Sequence, residues 1–192
     1  METGIVCLDE IYSYISKNPE VPHRTNDREI YRPFKSIIEQ AVKSVPKKTG
    51  WYYWVDVSER VRPVYIGKSD NSTTWNLYTR IEEELSEEYV ALWATVHDEQ
   101  KMLEMFSKKY NNKYDNNHKR AVKKKGVTHV LWAAVPHPLD KIEIKFVENK
   151  LIEFFEPIAN IQRRSAPFCN TDLHEKVKNQ FTCLIQKLLK SR

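Results

Sequence analysis

Apolar residues recur along this chain with two different periods, and the changes between them mark out its elements. Leu8, Ile11, Tyr12 and Ile15 fall on one helical stripe, which predicts a short amphipathic helix over 8–16. Pro19, Pro22 and Pro33, with polar filler between them, make 19–33 a connector. Phe34, Ile37, Ile38, Ala41 and Val45 then share a face, so a second helix is expected from Pro33 to Ser44, ended by Pro46 and Lys47-Lys48-Thr49. Here the period shortens. Residues 50–57 concentrate Trp, Tyr and Val, Ser58 to Arg62 supply a turn, and Val64 to Ile66 return as the second strand of an antiparallel hairpin.

Helical spacing resumes with Leu77, Ile81 and Leu85, predicting a helix from Trp75 to Leu85. Residues 97–126 are polar and weakly periodic, and are expected as an elaboration: a helix from Asp98 to Lys109, then an Asn-rich loop. Val127 to Val135 form a strongly apolar strand closed by Pro136 and Pro138. Asp140 and Glu143 have capping-box spacing, and the helix they open turns Ile144, Val147, Leu151 and Phe154 inward until Pro157 stops it. A last helix begins near Asn170 or Thr171 and carries Val177, Phe181, Leu184, Ile185 and Leu188. There are no internal repeats. The expected fold class is α+β, a small, mainly antiparallel three-stranded sheet flanked by helices. As one globular unit it divides into an N-terminal helical arm over 1–49, a core over 50–165 interrupted at about 87–126, and a C-terminal helix over 166–192.

Composition narrows the function. With 41% hydrophobic and 30% charged residues in 192, and no apolar run near the ~20 residues of a membrane span, a soluble protein off the membrane is expected. Cys7, Cys169 and Cys183 are odd in number and far apart, which points to a reducing cytoplasm rather than a disulfide framework. The net charge of +5 favours a polyanionic partner. Five of the eight residues from His118 to Lys125 are Lys or Arg, while Glu82 to Glu88 holds five glutamates. Taken alone, each run is a solvated helical face. No Gly-rich phosphate loop is present, so no nucleotide cofactor is expected, and no Gly-x-Ser-x-Gly elbow supports ester hydrolysis. The six histidines form no pair at metal spacing.

Phosphodiester cleavage needs an activated water, charge stabilisation at the phosphoryl oxygens and help for the leaving oxygen. Candidates exist for each. Tyr52 and Tyr65 lie on the paired hairpin strands, as sheet packing or as phenols poised near a cation, which Lys68 is close enough to supply. Arg80 borders the apolar stripe of its helix, where a guanidinium can fork onto a phosphate oxygen or simply face water. Glu148, four residues after Ile144 and three before Leu151, borders a buried face and either helps to hold Mg²⁺ or pairs with a lysine. Asn160, past Pro157, either meets phosphate or caps a turn.

In order and spacing these residues form a set. Gly50-Trp51-Tyr52, Tyr65-Ile66-Gly67-Lys68, Asn76-Leu77 with Arg80, and Glu148-x-x-Leu151-Ile152 with Pro157 and Asn160 resemble the motifs of the GIY-YIG nuclease family. The last block is the most specific, since it recurs in the excision-repair nuclease and its relatives. The resemblance covers about 50–86 and 127–161. It implies Tyr52 as general base or relay, Tyr65 as a second phenol, and Lys68 orienting water and lowering the tyrosine pKa. It further implies Arg80 on the scissile phosphate, Glu148 on one divalent metal and Asn160 supporting the site. Mg²⁺, replaceable by Mn²⁺, would be the cofactor, and the products 5′-phosphate and 3′-hydroxyl ends.

Two positions depart from the pattern. Trp51 replaces a small aliphatic residue, which changes packing more than chemistry. Glu84 stands where the family often has His or Tyr, and would either repel phosphate or pair with Arg80 at i, i+4. A compact module with helical arms and a basic insertion looks most like a restriction endonuclease of this family. In that role Lys119, Arg120, Lys123, Lys124 and Lys125 would contact the phosphates of double-stranded DNA, and cutting both strands would call for a two-fold homodimer. A structure-specific repair nuclease and a DNA-binding protein that has lost turnover are the alternatives.

Overall fold

The computed structural model describes residues 1–18, 28–70, 74–86, 99–109, 116–160 and 168–191. Residues 19–27 of the expected connector, 110–115 of the expected loop, and Glu87 and Glu88 of the acidic run lie outside them.

Four strands, β1 (Glu2–Cys7), β2 (Gly50–Asp56), β3 (Arg62–Lys68) and β4 (His129–Ala134), form one sheet in the order β1-β4-β2-β3. Every neighbouring pair is antiparallel. The expected hairpin is β2–β3, with Tyr52 opposite Gly67 and Trp54 opposite Tyr65. The expected three-stranded sheet is corrected to four by β1, which pairs along the whole of β4 with Gly4 opposite Trp132. Gly4 permits that pairing, because a Cβ there would lie 2.4 Å from the Trp132 ring.

Seven helices are seen among the described residues: α1 (Asp9–Lys17), α2 (Arg28–Ala41), α3 (Leu77–Ser86), α4 (Glu99–Lys109), α5 (Asn116–Lys123), α6 (Lys141–Phe155) and α7 (Leu173–Lys190). None is long and apolar enough to cross a membrane. Side-chain alternation in the strands builds a core on each face of the sheet. On one side Tyr52, Trp54 and Tyr65 pack with Ile11, Phe34, Leu77, Ile81, Met102 and Val122 from the first five helices. On the other, Trp51, Tyr53 and Ile66 pack with Val147, Leu151, Val177 and Phe181 from α6 and α7. Helices therefore cover both faces, which is why Gly50 to Val55 reads as a continuous buried run rather than an alternating one. Trp51 lies on the α6 side and donates its indole N–H to the Ile144 carbonyl at 3.1 Å.

Three further expectations are corrected. Helix α2 begins at Arg28 and carries Pro33 inside it, so the connector ends earlier than the proline spacing suggested. One missing N–H does not break a helix whose Phe34 and Ile38 are anchored in the core. Residues 116–123, expected as part of a loop, form α5, held down by buried Ala121 and Val122. Phe154 points outward and is 58% exposed. The remaining boundaries are locally determined. Asp140 caps α6 by accepting from Ile142 N at 2.6 Å, and Glu156 ends that helix in the left-handed conformation, at φ 49°, just before Pro157.

Beyond α6 the chain runs along the outer edge of β3. Ile158 N and Ala159 N donate to the Pro63 and Val64 carbonyls at 3.3 and 2.8 Å. The Asn160 side chain continues the pattern: its Oδ1 accepts from Ile66 N at 2.9 Å and its Nδ2 donates to Ile66 O at 2.8 Å. A strand carrying Pro63, which lacks an N–H, suits such an edge position.

Candidate active site

Tyr52 leaves β2 on the face of the sheet that meets α3 and the insertion. Its ring crosses Gly67 on the neighbouring strand so closely that a Cβ there would stand 2.4 Å from the phenol oxygen. Tyr65 lies diagonally across the same strand pair, with ring centroids 6.2 Å apart. Asn76 fixes the start of α3 by accepting the Thr79 N–H at 3.1 Å, which sets the rotation of that helix and so the direction of Arg80 and Glu84.

Tyr52, Tyr65, Lys68, Arg80 and Glu148 all line one open cleft of about 370 Å³, together with Asp70, Trp75 and Arg120. Five residues marked out by sequence, drawn from β2, β3, α3 and α6, thus share one wall. Asn160 is not among them. Both ends of its amide are engaged with Ile66, two positions before Lys68, so it positions the strand that carries Tyr65 and Lys68.

The basic cluster divides. Arg120 lies over the Tyr65 ring at 5.5 Å and faces the cleft, while Lys119 and Lys123 are exposed. Lys125 is half-buried, and its carbonyl accepts from Arg62 at 2.7 Å. Lys124, expected to face a phosphate, points inward and is only 7% exposed. Its ammonium sits 4.0 Å from the Tyr65 ring centroid and 4.7 Å from that of Trp54, and bonds Glu84 Oε2 at 2.5 Å.

Glu84 departs from the solvated face expected of the acidic run. It is 7% exposed, and its other oxygen accepts from Tyr52 Oη at 2.5 Å and from Arg80 Nη2 at 3.1 Å. Of the two alternatives set by the sequence, repulsion of phosphate or pairing with Arg80, the structure contains the pairing. Burial alone would push this carboxyl up, but the Lys124 ammonium, then Arg80 and the two donated hydrogen bonds, hold it below the ordinary carboxylate value. The phenols move the other way. Burial, and after it the Glu84 charge, pushes Tyr52 far above its ordinary value. Burial and Glu84 likewise raise Tyr65 against the opposing Arg120, with Glu148 adding to the rise. The expected lowering of the tyrosine pKa is therefore replaced by a rise, and both tyrosines are neutral phenols at neutral pH.

Arg80 is held against burial by the Tyr52 oxygen and the Glu84 carboxylate, which keep it charged. It also reaches Glu83 at 3.6 Å and lies 5.4 Å from the Trp75 ring. The sequence assigns Arg120 and Lys124 to phosphate contacts along the duplex rather than to the cleft wall and the Glu84 pair, and leaves the place of Glu84 open. A signal existed for Glu84: it falls seven residues after Leu77 and three after Ile81, on the apolar stripe itself. Arg120 and Lys124 stand one turn apart, a spacing that puts two cations on one side of a helix. Compared with known proteins, the chain matches no protein-family model, no curated protein and no solved structure.

Proposed function

We propose that this chain is a GIY-YIG-type, divalent-metal-dependent DNA endonuclease that hydrolyses phosphodiesters to 5′-phosphate and 3′-hydroxyl ends. One observation carries the reading: Tyr52, Tyr65, Lys68, Arg80 and Glu148, separated by up to ninety-six positions, line a single polar cleft. Packing alone gives no reason for two cations, two phenols and a carboxylate to share one opening.

The residues divide the chemistry. Arg80 presents a planar fork to two nonbridging phosphate oxygens and neutralises the charge that grows there as water adds to phosphorus. The Lys68 ammonium makes no hydrogen bond or ion pair among the described residues, which suits it to hold the attacking water or a phosphate oxygen. Tyr52 takes a proton from that water at its phenol oxygen as the bond from phosphorus to the 3′-oxygen breaks. Glu148, with Asp70 in the same wall, would offer the hard oxygen donors that suit Mg²⁺ or Mn²⁺. When bound, such an ion contributes Lewis-acid stabilisation of the phosphoryl and leaving oxygens.

Glu84 does not oppose this reading, because its charge is already neutralised by Lys124 and Arg80 before any phosphate arrives. That favours an active enzyme over an inert DNA-binding protein. The insertion brings Arg120 to the cleft and leaves Lys119 and Lys123 outside it, an arrangement that suits the backbone of a duplex. Restriction-type cutting of double-stranded DNA by a two-fold dimer is the form proposed. Digestion of phage DNA with Mg²⁺ or Mn²⁺, followed by sequencing of the ends, tests it. Defined ends with 5′-phosphates are expected, lost in Glu148→Ala; uncut DNA under both ions overturns the proposal.

A further inference from the structure

We infer that Glu84 is a positioning residue acting through Tyr52 and the final acceptor of the water proton, with Lys124 of the insertion keeping it a carboxylate. The inference rests on the nuclease reading above and adds to it a route for the proton.

A difficulty within the site motivates it. Tyr52 is 1% exposed beside a carboxylate, so a phenolate is not on hand to take a proton from water. A neutral phenol can act as a base only if its own hydrogen leaves as another arrives. That exit is built. The Tyr52 O–H is already directed at Glu84 Oε1 over 2.5 Å, and with Arg80 facing the same oxygen, one lone pair of this cleft-lining phenol remains to meet a water. In the step itself a water O–H bond breaks and its hydrogen passes to Tyr52 Oη, while the Tyr52 O–H bond breaks and its hydrogen passes to Glu84 Oε1. The water oxygen pair forms the new bond to phosphorus. The bond from phosphorus to the 3′-oxygen breaks, and its pair remains on that oxygen, which takes a proton from solvent. Glu84 ends neutral and releases its proton to solvent through Tyr52 as product leaves.

The surroundings of Glu84 suit this task. From its own helix it faces Arg80; from β2 and β3, Tyr52 and Tyr65; from the insertion, Lys124 and, beyond Tyr65, Arg120; Glu148 of α6 adds a negative charge across the cleft. Two cations hold the carboxylate, but they are not equivalent. Arg80 lines the cleft and Lys124 does not. A scissile phosphate that engages Arg80 draws one cation from Glu84, so the affinity of Glu84 for a proton rises as the proton must move. Lys124, clamped over two aromatic rings, stays and keeps the carboxylate charged until then.

A purely structural Glu84–Lys124 pin predicts otherwise, and single-turnover cleavage by the full chain separates the two. Glu84→Gln keeps the acceptor for Tyr52 but cannot receive its proton. Its cleavage rate is expected to fall about 10²-fold or more, while DNA affinity measured in Ca²⁺ is unchanged or tighter because Arg80 is released. Combined with Tyr52→Phe it should cost little beyond either change alone. On wild type, a proton inventory in mixed H₂O and D₂O should curve, because two hydrogens are in flight. Wild type that cuts DNA with a linear inventory, or with Glu84→Gln within threefold of it, overturns the inference and spares the nuclease. Wild type that cuts no DNA overturns both.

Discussion

The Tyr52 hydroxyl and the Glu84 carboxylate meet at 2.5 Å inside the core, joining the second strand of the sheet to the third helix. The contact also determines how stability depends on pH. Glu84 has a folded pKa below its ordinary value of 4.5, so its stabilisation is complete above that value and is lost as pH falls through the depressed one. Glu84→Gln leaves Lys124 buried opposite a neutral amide, at a cost of about 3–5 kcal/mol near neutral pH. Urea unfolding at a series of pH values should show that difference shrinking as the solution is acidified. A difference that stays constant would count against the pair as described.

Lys124 should control the titration of the same carboxyl from the other side. In Lys124→Gln only Arg80 remains opposite Glu84, so burial prevails and the carboxyl rises. A base must be ionised to work, so the cleavage rate of this variant should fall as pH drops through a range where the wild-type rate is flat. Superimposable pH profiles for the two proteins would contradict this.

Gly67→Ala introduces a methyl group into the Tyr52 ring, where a separation of 2.4 Å leaves no room. The ring must swing away from the strand, breaking its bond to Glu84. A loss of about 1–3 kcal/mol in unfolding free energy is expected from the overpacking. Cleavage should fall further than stability does, and a variant with wild-type turnover would show that the ring position is not critical.

Asn160 tests whether a residue outside the cleft can govern it. Asn160→Ala leaves Ile66 N–H and C=O without their side-chain partner and should cost about 1–3 kcal/mol. Asn160→Asp can still accept from Ile66 N but offers the Ile66 carbonyl an oxygen instead of an N–H, so it should be no better than alanine. If both variants lower turnover with DNA affinity intact, Asn160 works by holding the strand that bears Tyr65 and Lys68. Equal stability of Asp and Asn at this position would refute the pairing.

Lys119 and Lys123 are the exposed cations of the 119–125 cluster. Replacing both with alanine should weaken DNA binding and reduce the slope of log affinity against log salt by about two, one for each phosphate no longer neutralised. The fold should be untouched, because neither side chain is buried. A salt slope equal to that of wild type would place the duplex elsewhere.

Legibility differed by residue for physical reasons. The hairpin, α6 and α7 are plain because each is a long run of one period, with α6 further bounded by the Asp140 cap and Pro157, and local signals decide such elements. Strand β1 is not. Its six residues include Gly4 and two polar positions, and its partner is more than a hundred positions away in β4, so nothing nearby specifies it. Helix α5 was hidden by Asn116, Asn117 and a string of cations, and forms because Ala121, Val122 and Lys124 have places to be buried. At the site, the residue types were readable but their partners were not. Glu84 beside Glu82 and Glu83 looks like surface until Lys124, forty residues later, is seen beneath it.

Residues 158–160 cover much of the outer edge of β3, where the Pro63, Val64 and Ile66 carbonyls and the Ile66 N–H are already occupied. On the opposite side, no strand among the described residues pairs with the outer flank of β1. Strand addition by another chain is therefore expected at the β1 edge rather than at β3. Strand addition would start at Glu2–Cys7, where Gly4 and Ile5 are only half-covered and Glu2 is the one charged residue. A lysine or proline placed on that flank, away from the cleft, should suppress such addition.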